Sequence, residues 1–263
     1  MVQYKICNLY SGSKGNATFI SIGGKNILID AGKSAKTLCC ALKSIGVDPE
    51  SIDAIFITHE HTDHVSALQT FSHKYNAPIH ILLSSARKKF YGLRDEAFFS
   101  KMVFHEKSSF SVDLDGIKIQ AFPTPHDSCG SVGYKITCSD GDDELKIGLA
   151  TDIGYITEDI RTNLIGCESV VIECNHDKEM LMMGPYPYEL KLRISSNTGH
   201  LSNSDCAAFC SELASSGTKN IMLAHLSEEN NLPEFAYNEC MAAVADDSVK
   251  IFVASPTTPI WIE

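Results

Sequence analysis

Apolar residues recur in short runs of four to seven, rich in β-branched and aromatic side chains and bounded by Gly, Asn, Asp, Ser or Pro. This pattern predicts strands over 4–9, 17–22, 26–30, 54–58, 79–83, 117–122, 132–137, 145–150, 169–174, 220–224 and 249–254. Between them, apolar positions spaced three and four apart predict helices over 34–45, 64–75, 158–164, 188–195, 204–214 and 233–244. The first three strands are joined by "SGSKGN" and by Gly23-Gly24, which suits an antiparallel opening. The later alternation of strand and helix suits helices layered on sheets, a mixed α/β architecture. With no low-complexity linker and no solenoid-like repeat, residues 1–263 are expected to form a single domain.

Where these strands end, chemistry gathers. Asp30 follows "NILI", His59 follows "AIFIT", His126 follows "IQAFPTP", Asp152 follows "IGLAT", His176 follows "VVIECN" and His225 follows "NIMLA". In layered α/β proteins sites assemble at the carboxyl ends of strands, so one shared site is the economical expectation. Its nucleus is "THEHTDH", residues 58–64, with three histidines and an aspartate in six positions. Neutral imidazoles and a carboxylate are donors that zinc, iron and manganese accept, and ligands crowded into one loop lower the ordering cost of a site.

Composition narrows the setting. A chain of 263 residues that is 44% hydrophobic can bury a sizeable core. No apolar run approaches the roughly 20 residues of a membrane span, and the opening "MVQYKICNLYSGSKGN" lacks a basic region followed by a long apolar stretch, so the expected location is the cytoplasm. The 10 cysteines form no Cys-x-x-Cys pair and mostly lie in apolar segments, as reduced, buried thiols would. The net charge of −11 argues against broad electrostatic binding of nucleic acid. Carboxylates that ligate cations reverse the local sign, however, and basic groups stand at Arg87-Lys88-Lys89 and between Lys191 and Arg193.

The order His-x-His-x-Asp-His, then "TPH", "ATDIG" and "AHLS", resembles the metallo-β-lactamase fold of binuclear hydrolases over nearly the whole chain. The longer strings "SSNTGHLSNSD", "ECNHDKEMLMMGPYP" and "AHLSEENNLPE" are similar to its YycJ branch, related to ribonucleases Z and J. The resemblance implies a four-layer αβ/βα sandwich, two sheets flanked by helices. It implies two divalent ions (zinc, manganese or iron), one on His59, His61 and His126, the other on Asp63, His64 and His225, with Asp152 bridging. Two such ions about 3.5–4 Å apart take a proton from a shared water near neutral pH and stabilise charge on the electrophile. Asp63 would orient that water, and Asp30 would support a ligand histidine from behind.

Substrate choice must come from other residues, because this fold serves many chemistries. His200 in "TGHLS" is similar to a nonligand histidine that meets phosphate in ribonucleases Z and J, with Glu173 as its orienting partner. An imidazolium there would stabilise a phosphate oxygen and give a proton to the departing 3′ oxygen. Ser13 and Asn16 of the Gly/Ser loop, and His176, are further candidates for substrate contact. Residues 86–105 interleave five basic residues with Phe90, Tyr91, Phe98 and Phe99, which suits either a nucleic-acid track or an amphipathic helical cover. The run Met180-Leu181-Met182-Met183 is expected to pack.

Only 20 residues separate Asp152 from Glu173 and 23 separate His176 from His200, leaving no room for the inserted cap domain of ribonuclease J-like enzymes. A polymer would be gripped by a smaller surface, or by a second copy in a homodimer. The expected function is a metal-dependent phosphodiesterase, a 5′-3′ DNA exonuclease using a metal-bound hydroxide. The alternatives are a small-molecule or cyclic-nucleotide phosphodiesterase and, from another class, a metal-stabilised accessory protein in signalling or cell-wall control.

Overall fold

The computed structural model describes residues 2–141 and 143–262. The first part of the chain lays down β1 (Tyr4–Tyr10), β2 (Ala17–Ile22), β3 (Lys25–Ile29), α1 (Ala35–Ser44), β4 (Ala54–Phe56), α2 (Thr62–Val65), α3 (Leu68–Ser72), β5 (Ile79–Leu82), α4 (Leu83–Lys89), α5 (Glu96–Phe99) and β6 (Met102–His105). There follow β7 (Ser111–Leu114), β8 (Ile117–Pro123), β9 (Val132–Asp140), β10 (Asp143–Ala150), α6 (Glu158–Leu164), β11 (Ser169–Glu173), α7 (Lys178–Met183), α8 (Tyr188–Ile194), α9 (Asn203–Ser215), β12 (Asn220–Ala224), α10 (Pro233–Val244), β13 (Lys250–Val253) and β14 (Ile260–Ile262). They form two seven-stranded sheets, ordered β14-β1-β2-β3-β4-β5-β6 and β13-β12-β11-β10-β9-β8-β7. Each sheet begins antiparallel, through β1 to β3 or β7 to β10, and continues parallel, through β3 to β6 or β10 to β13.

The period of two along each strand divides the core. Ile27 and Ile29 of β3 join Ile119, Ile136, Val171 and Met222 between the sheets, while Leu28 points the other way, against Leu38 and Leu42 of α1 and Phe71 of α3. On the second sheet Val170, Ile172, Ile221 and Leu223 face outward onto Ile160 and Leu164 of α6, Phe209 and Leu213 of α9, and Ala236 of α10. The result is the αβ/βα sandwich, and the parallel strands β3, β4, β10, β11 and β12 direct their carboxyl ends toward one edge, where the site lies.

Three strands escaped the pattern, and each is the outer strand of its sheet. β6, β7 and β14 pair on one side only and carry exposed or half-exposed residues, so their apolar signal is weak. The expected helix over 64–75 is instead broken between α2 and α3. The Asp63 carbonyl accepts from Asn16 N (2.8 Å), the His64 carbonyl from Ala31 N (2.8 Å), and Ala67 N donates to Ala31 O (2.9 Å). These cross-chain bonds outbid helical continuation and fix the ligand loop. Residues 86–105 are not one continuous helix: α4 ends in its basic turn, α5 buries Phe98, β6 follows, and Tyr91 stands exposed. Of the methionine run, now α7, Leu181 packs, whereas Met182 and Met183 are exposed. None of the ten cysteines is in a disulfide, and seven of them are buried.

His80, in β5, stacks on Phe56 (4.5 Å between centroids) and meets His105 through Nδ1 at 3.1 Å. Burial, and then His105, push its pKa down to about 4. The folded chain therefore binds fewer protons than the unfolded chain between that pH and the ordinary histidine value near 6.5, and stability is lost as pH falls through this window. His80→Phe is expected to flatten the fall in Tm between about pH 6.5 and pH 4, as read by thermal melts.

Candidate binuclear metal centre

The loop after β4 carries His59, buried against the strand end, and His61, which caps α2; His126 enters from the segment after β8. His59 Nε2 lies 3.0 Å and His126 Nε2 3.3 Å from His61 Nδ1, so three ring nitrogens converge. Burial, followed by the neighbouring imidazoles, holds His59 well below the usual histidine range, which keeps its lone pair free for a cation. Burial lowers His126 likewise, and its Nδ1 lies 3.3 Å from the Gly199 carbonyl.

The second group is built from α2 and the end of β12. Asp63 Oδ2 is 3.3 Å from His64 Nε2 and 3.7 Å from His225 Nε2. Asp152, after β10, stands between the groups, with Oδ2 at 3.3 Å from His64 Nε2 and Oδ1 at 3.5 Å from His225 Nε2 and 3.8 Å from His126 Nε2. The structure thus brings together all seven residues expected to hold metal.

Hydrogen bonds from behind set which nitrogen each histidine presents to the cluster. Asp30 meets His64 Nδ1 at 2.8 Å and accepts from Thr58 N (2.8 Å) and Thr58 Oγ1, the supporting place expected of it. Glu173 Oε1 accepts from His225 Nδ1 (2.9 Å) and from His200 Nδ1 (2.7 Å), and Oε2 from Ile153 N (2.7 Å) and Leu201 N (3.2 Å). Glu173 is thus completely buried, satisfied four times, and shared between His225 and His200. It holds both imidazoles in place. Asp152, Glu173, His200 and His225 also come within metal-binding range of one another, but these bonds already spend Glu173 and His200 Nδ1.

The backbone is strained where the ligands turn inward. Asp30, Asp152 and His225 have φ of 62°, 56° and 56°, in the left-handed region that side chains avoid. His225 is held there by Ser11 Oγ, which accepts from its N–H (2.7 Å), and by Asn175 Nδ2, which donates to its carbonyl (2.7 Å). Gly32 permits the close approach of the Asp63 loop: a Cβ there would sit 1.9 Å from the Asp63 carbonyl oxygen.

Charge and orphaned atoms show that the residues fit a pair of cations. Burial would raise Asp63, yet His64 and His225 hold it well below the carboxylate range. His64 is raised against burial by Asp30, Asp152 and Asp63, and His225 is raised against burial to about 10, chiefly by Asp152. Protons here balance a negative cluster that cations would balance instead. Asp152 Oδ2 and His225 Nε2 are buried without a hydrogen-bond partner, both aimed into the cluster.

A model of the "Beta-lactamase superfamily domain" matches residues 25–226, a span that contains all seven of these residues. The chain belongs to the beta-lactamase superfamily. Within it, the chain is 32% identical over 267 residues to exodeoxyribonuclease WalJ of Streptococcus pneumoniae serotype 2, covering 98% of this chain and 96% of that one. It is 33% identical over 232 residues to exodeoxyribonuclease YycJ of Bacillus anthracis, covering 87% and 84%. Among solved structures, the metallo-beta-lactamase fold protein YhfI from Bacillus subtilis superposes with a TM-score of 0.71 at 14% identity, over 98% of this chain and 99% of that one.

Around the superfamily centre the remaining expected residues take distinct places. His200 lines a cavity of about 190 Å³ with Ser13, His225 and Arg193, and its ring lies 5.1 Å from that of His225 and 5.3 Å from that of His126. Asn16 is turned away from that cavity's lining: its Nδ2 donates to Gly12 O (3.1 Å) and lies 3.2 Å from Asp63 Oδ2, so it steadies a ligand. His176 is buried. Sequence reasoning passed over Glu60, whose Oε1 accepts from Cys129 N (2.7 Å), and Ser11 and Asn175, which shape His225. Each lay inside a quoted motif, but its backbone partner was invisible without the fold.

Proposed function

We propose that the chain is a cytoplasmic two-metal phosphodiesterase that degrades DNA from an end. The observation that carries this reading is His200. Its Nδ1 is committed to Glu173, so Nε2 is the nitrogen left for a substrate, in a partly exposed side chain beside both ligand groups. Burial opposes a charge on His200, but Glu173 raises its pKa nonetheless, which suits a proton donor. A centre that hydrolysed an activated ester would not need such a donor; an alkoxide leaving group does.

Two divalent ions, held by His59, His61 and His126 and by Asp63, His64 and His225 with Asp152 between, would lower the pKa of a water and neutralise phosphate charge. Asp63, braced by Asn16, would orient that water. Glu173 keeps His200 aimed at the leaving oxygen. Lys88 and Lys89 line a neighbouring cavity with His61 and Thr62, and Arg193, paired with Asp127, lines the one that holds His200, so basic side chains are within reach of the centre. The names of the two bacterial relatives support DNA as the polymer and an end as the point of attack. Ten cysteines outside any disulfide suit a reducing compartment, and among the described residues no helix is long and apolar enough to cross a membrane.

The test is topology. Metal-loaded protein is expected to degrade linear duplex DNA while leaving covalently closed circles of the same sequence intact, as resolved on gels. Equal loss of both would show an endonuclease and overturn the requirement for an end.

A further inference from the structure

Four of the seven buried cysteines meet between the second sheet and its helices. Cys174 directly follows β11, Cys206 and Cys210 stand four residues apart on α9, and Cys240 comes from α10. All four are fully buried. Cys206 Sγ lies 3.8 Å from Cys210 Sγ and 4.0 Å from Cys240 Sγ. The sulfurs of Cys174, Cys206 and Cys240 all fall within 4.8 Å of one another.

Such spacings match a ligand set. Thiolates bound at about 2.3 Å stand about 3.8 Å apart around a tetrahedral ion and about 4.0 Å apart around a trigonal one. Thiols that merely touch have similar separations, but packing alone gives no reason for a strand end and two helices each to deliver a sulfur to one point. The surrounding core is built from Ile172, Phe209, Leu213 and Ala236, with which the cysteines form one apolar cluster. The backbone presenting Cys174 is held on both sides, its N–H donating to Ala224 O (2.9 Å) and its carbonyl accepting from Asn231 Nδ2 (3.0 Å). Cys206 sits four residues into the 13-residue helix α9, near the positive end of its dipole, which offsets thiolate charge.

We propose that Cys174, Cys206 and Cys240 hold a thiophilic cation, zinc(II) or copper(I), with Cys210 as the nearest fourth donor. In binding, three S–H bonds break, three metal–sulfur bonds form and three protons pass to solvent, with no change of oxidation state. Enclosed in apolar side chains, the site has the closed form of a structural centre. The cation fastens α9 and α10 to the end of β11, one residue beyond Glu173, which holds His200 and His225. It is separate from the His/Asp centre and does not depend on the nuclease reading.

The test uses the chain produced with cobalt(II) in place of zinc. Cobalt bound by thiolates shows a sulfur-to-metal charge-transfer band in the near ultraviolet, which His and Asp ligands cannot give. The band is expected in the wild type and in Asp152→Asn, at about one thiolate-bound ion per chain. It should vanish in Cys206→Ala and in Cys240→Ala, and persist in Cys167→Ala, which removes a buried cysteine outside the group. To name the cation, Asp152→Asn with and without Cys206→Ala is produced with zinc and copper together. The metal lost on adding Cys206→Ala, by elemental analysis, is the one the sulfurs hold. A folded wild-type chain without the band, together with loss of neither metal, overturns the site whatever the folding of the variants. A band that survives both alanine substitutions overturns it equally.

Discussion

His200→Ala is expected to lower kcat on DNA by about 10²–10⁴-fold with little change in KM, the range for removing a positioned general acid. The substitution takes away the group that Glu173 holds at 2.7 Å and leaves the seven residues proposed to hold metal in place, so metal content should be unchanged. Leaving-group chemistry sharpens the test. A departing 3′ oxygen is a poor alkoxide and needs the proton, whereas p-nitrophenolate leaves without one. Hydrolysis of bis(p-nitrophenyl) phosphate by the variant should therefore fall much less than hydrolysis of DNA. Equal loss on both substrates would show that His200 stabilises a nonbridging oxygen and gives no proton; no loss on either would remove it from the mechanism.

Asp152→Asn is expected to have the larger consequence. Asparagine tolerates the left-handed backbone at φ 56° and keeps the side-chain shape, so the change removes charge more than structure. What disappears is the anion whose oxygens lie 3.3 Å from His64 Nε2 and 3.5 Å from His225 Nε2 and that joins the two ligand groups. Bound metal, measured by elemental analysis, should fall from about two ions per chain to about one or fewer, and turnover by at least about 10³-fold. A variant that kept both ions and full activity would show that Asp152 does not bridge. A variant without turnover that fully rescued a cellular phenotype would instead favour an accessory protein.

Much of this site was legible because metal ligation writes itself into sequence. Donors must be His or Asp, they must follow strands, and "THEHTDH" packs four of them into one loop. Asp30, Asp152 and His225 were visible for the same reason, at the ends of apolar runs. What the pattern could not carry was any feature set by partners distant along the chain. The break between α2 and α3 depends on Ala31 and Asn16. Asn16, a loop residue by sequence, braces Asp63, and Glu173 serves His225 as well as His200. The outer strands β6, β7 and β14 bury too little on either face to announce themselves.

The measurement that bears most directly on the whole account is release of label from 5′-labelled linear duplex DNA by metal-loaded protein, by the same protein after chelation, and by protein reloaded with zinc, manganese or iron. Immediate release of the label as mononucleotide, which stops on chelation and returns on reloading, is the expected result. Hydrolysis of small phosphodiesters alone, or digestion that persists without metal, would contradict it.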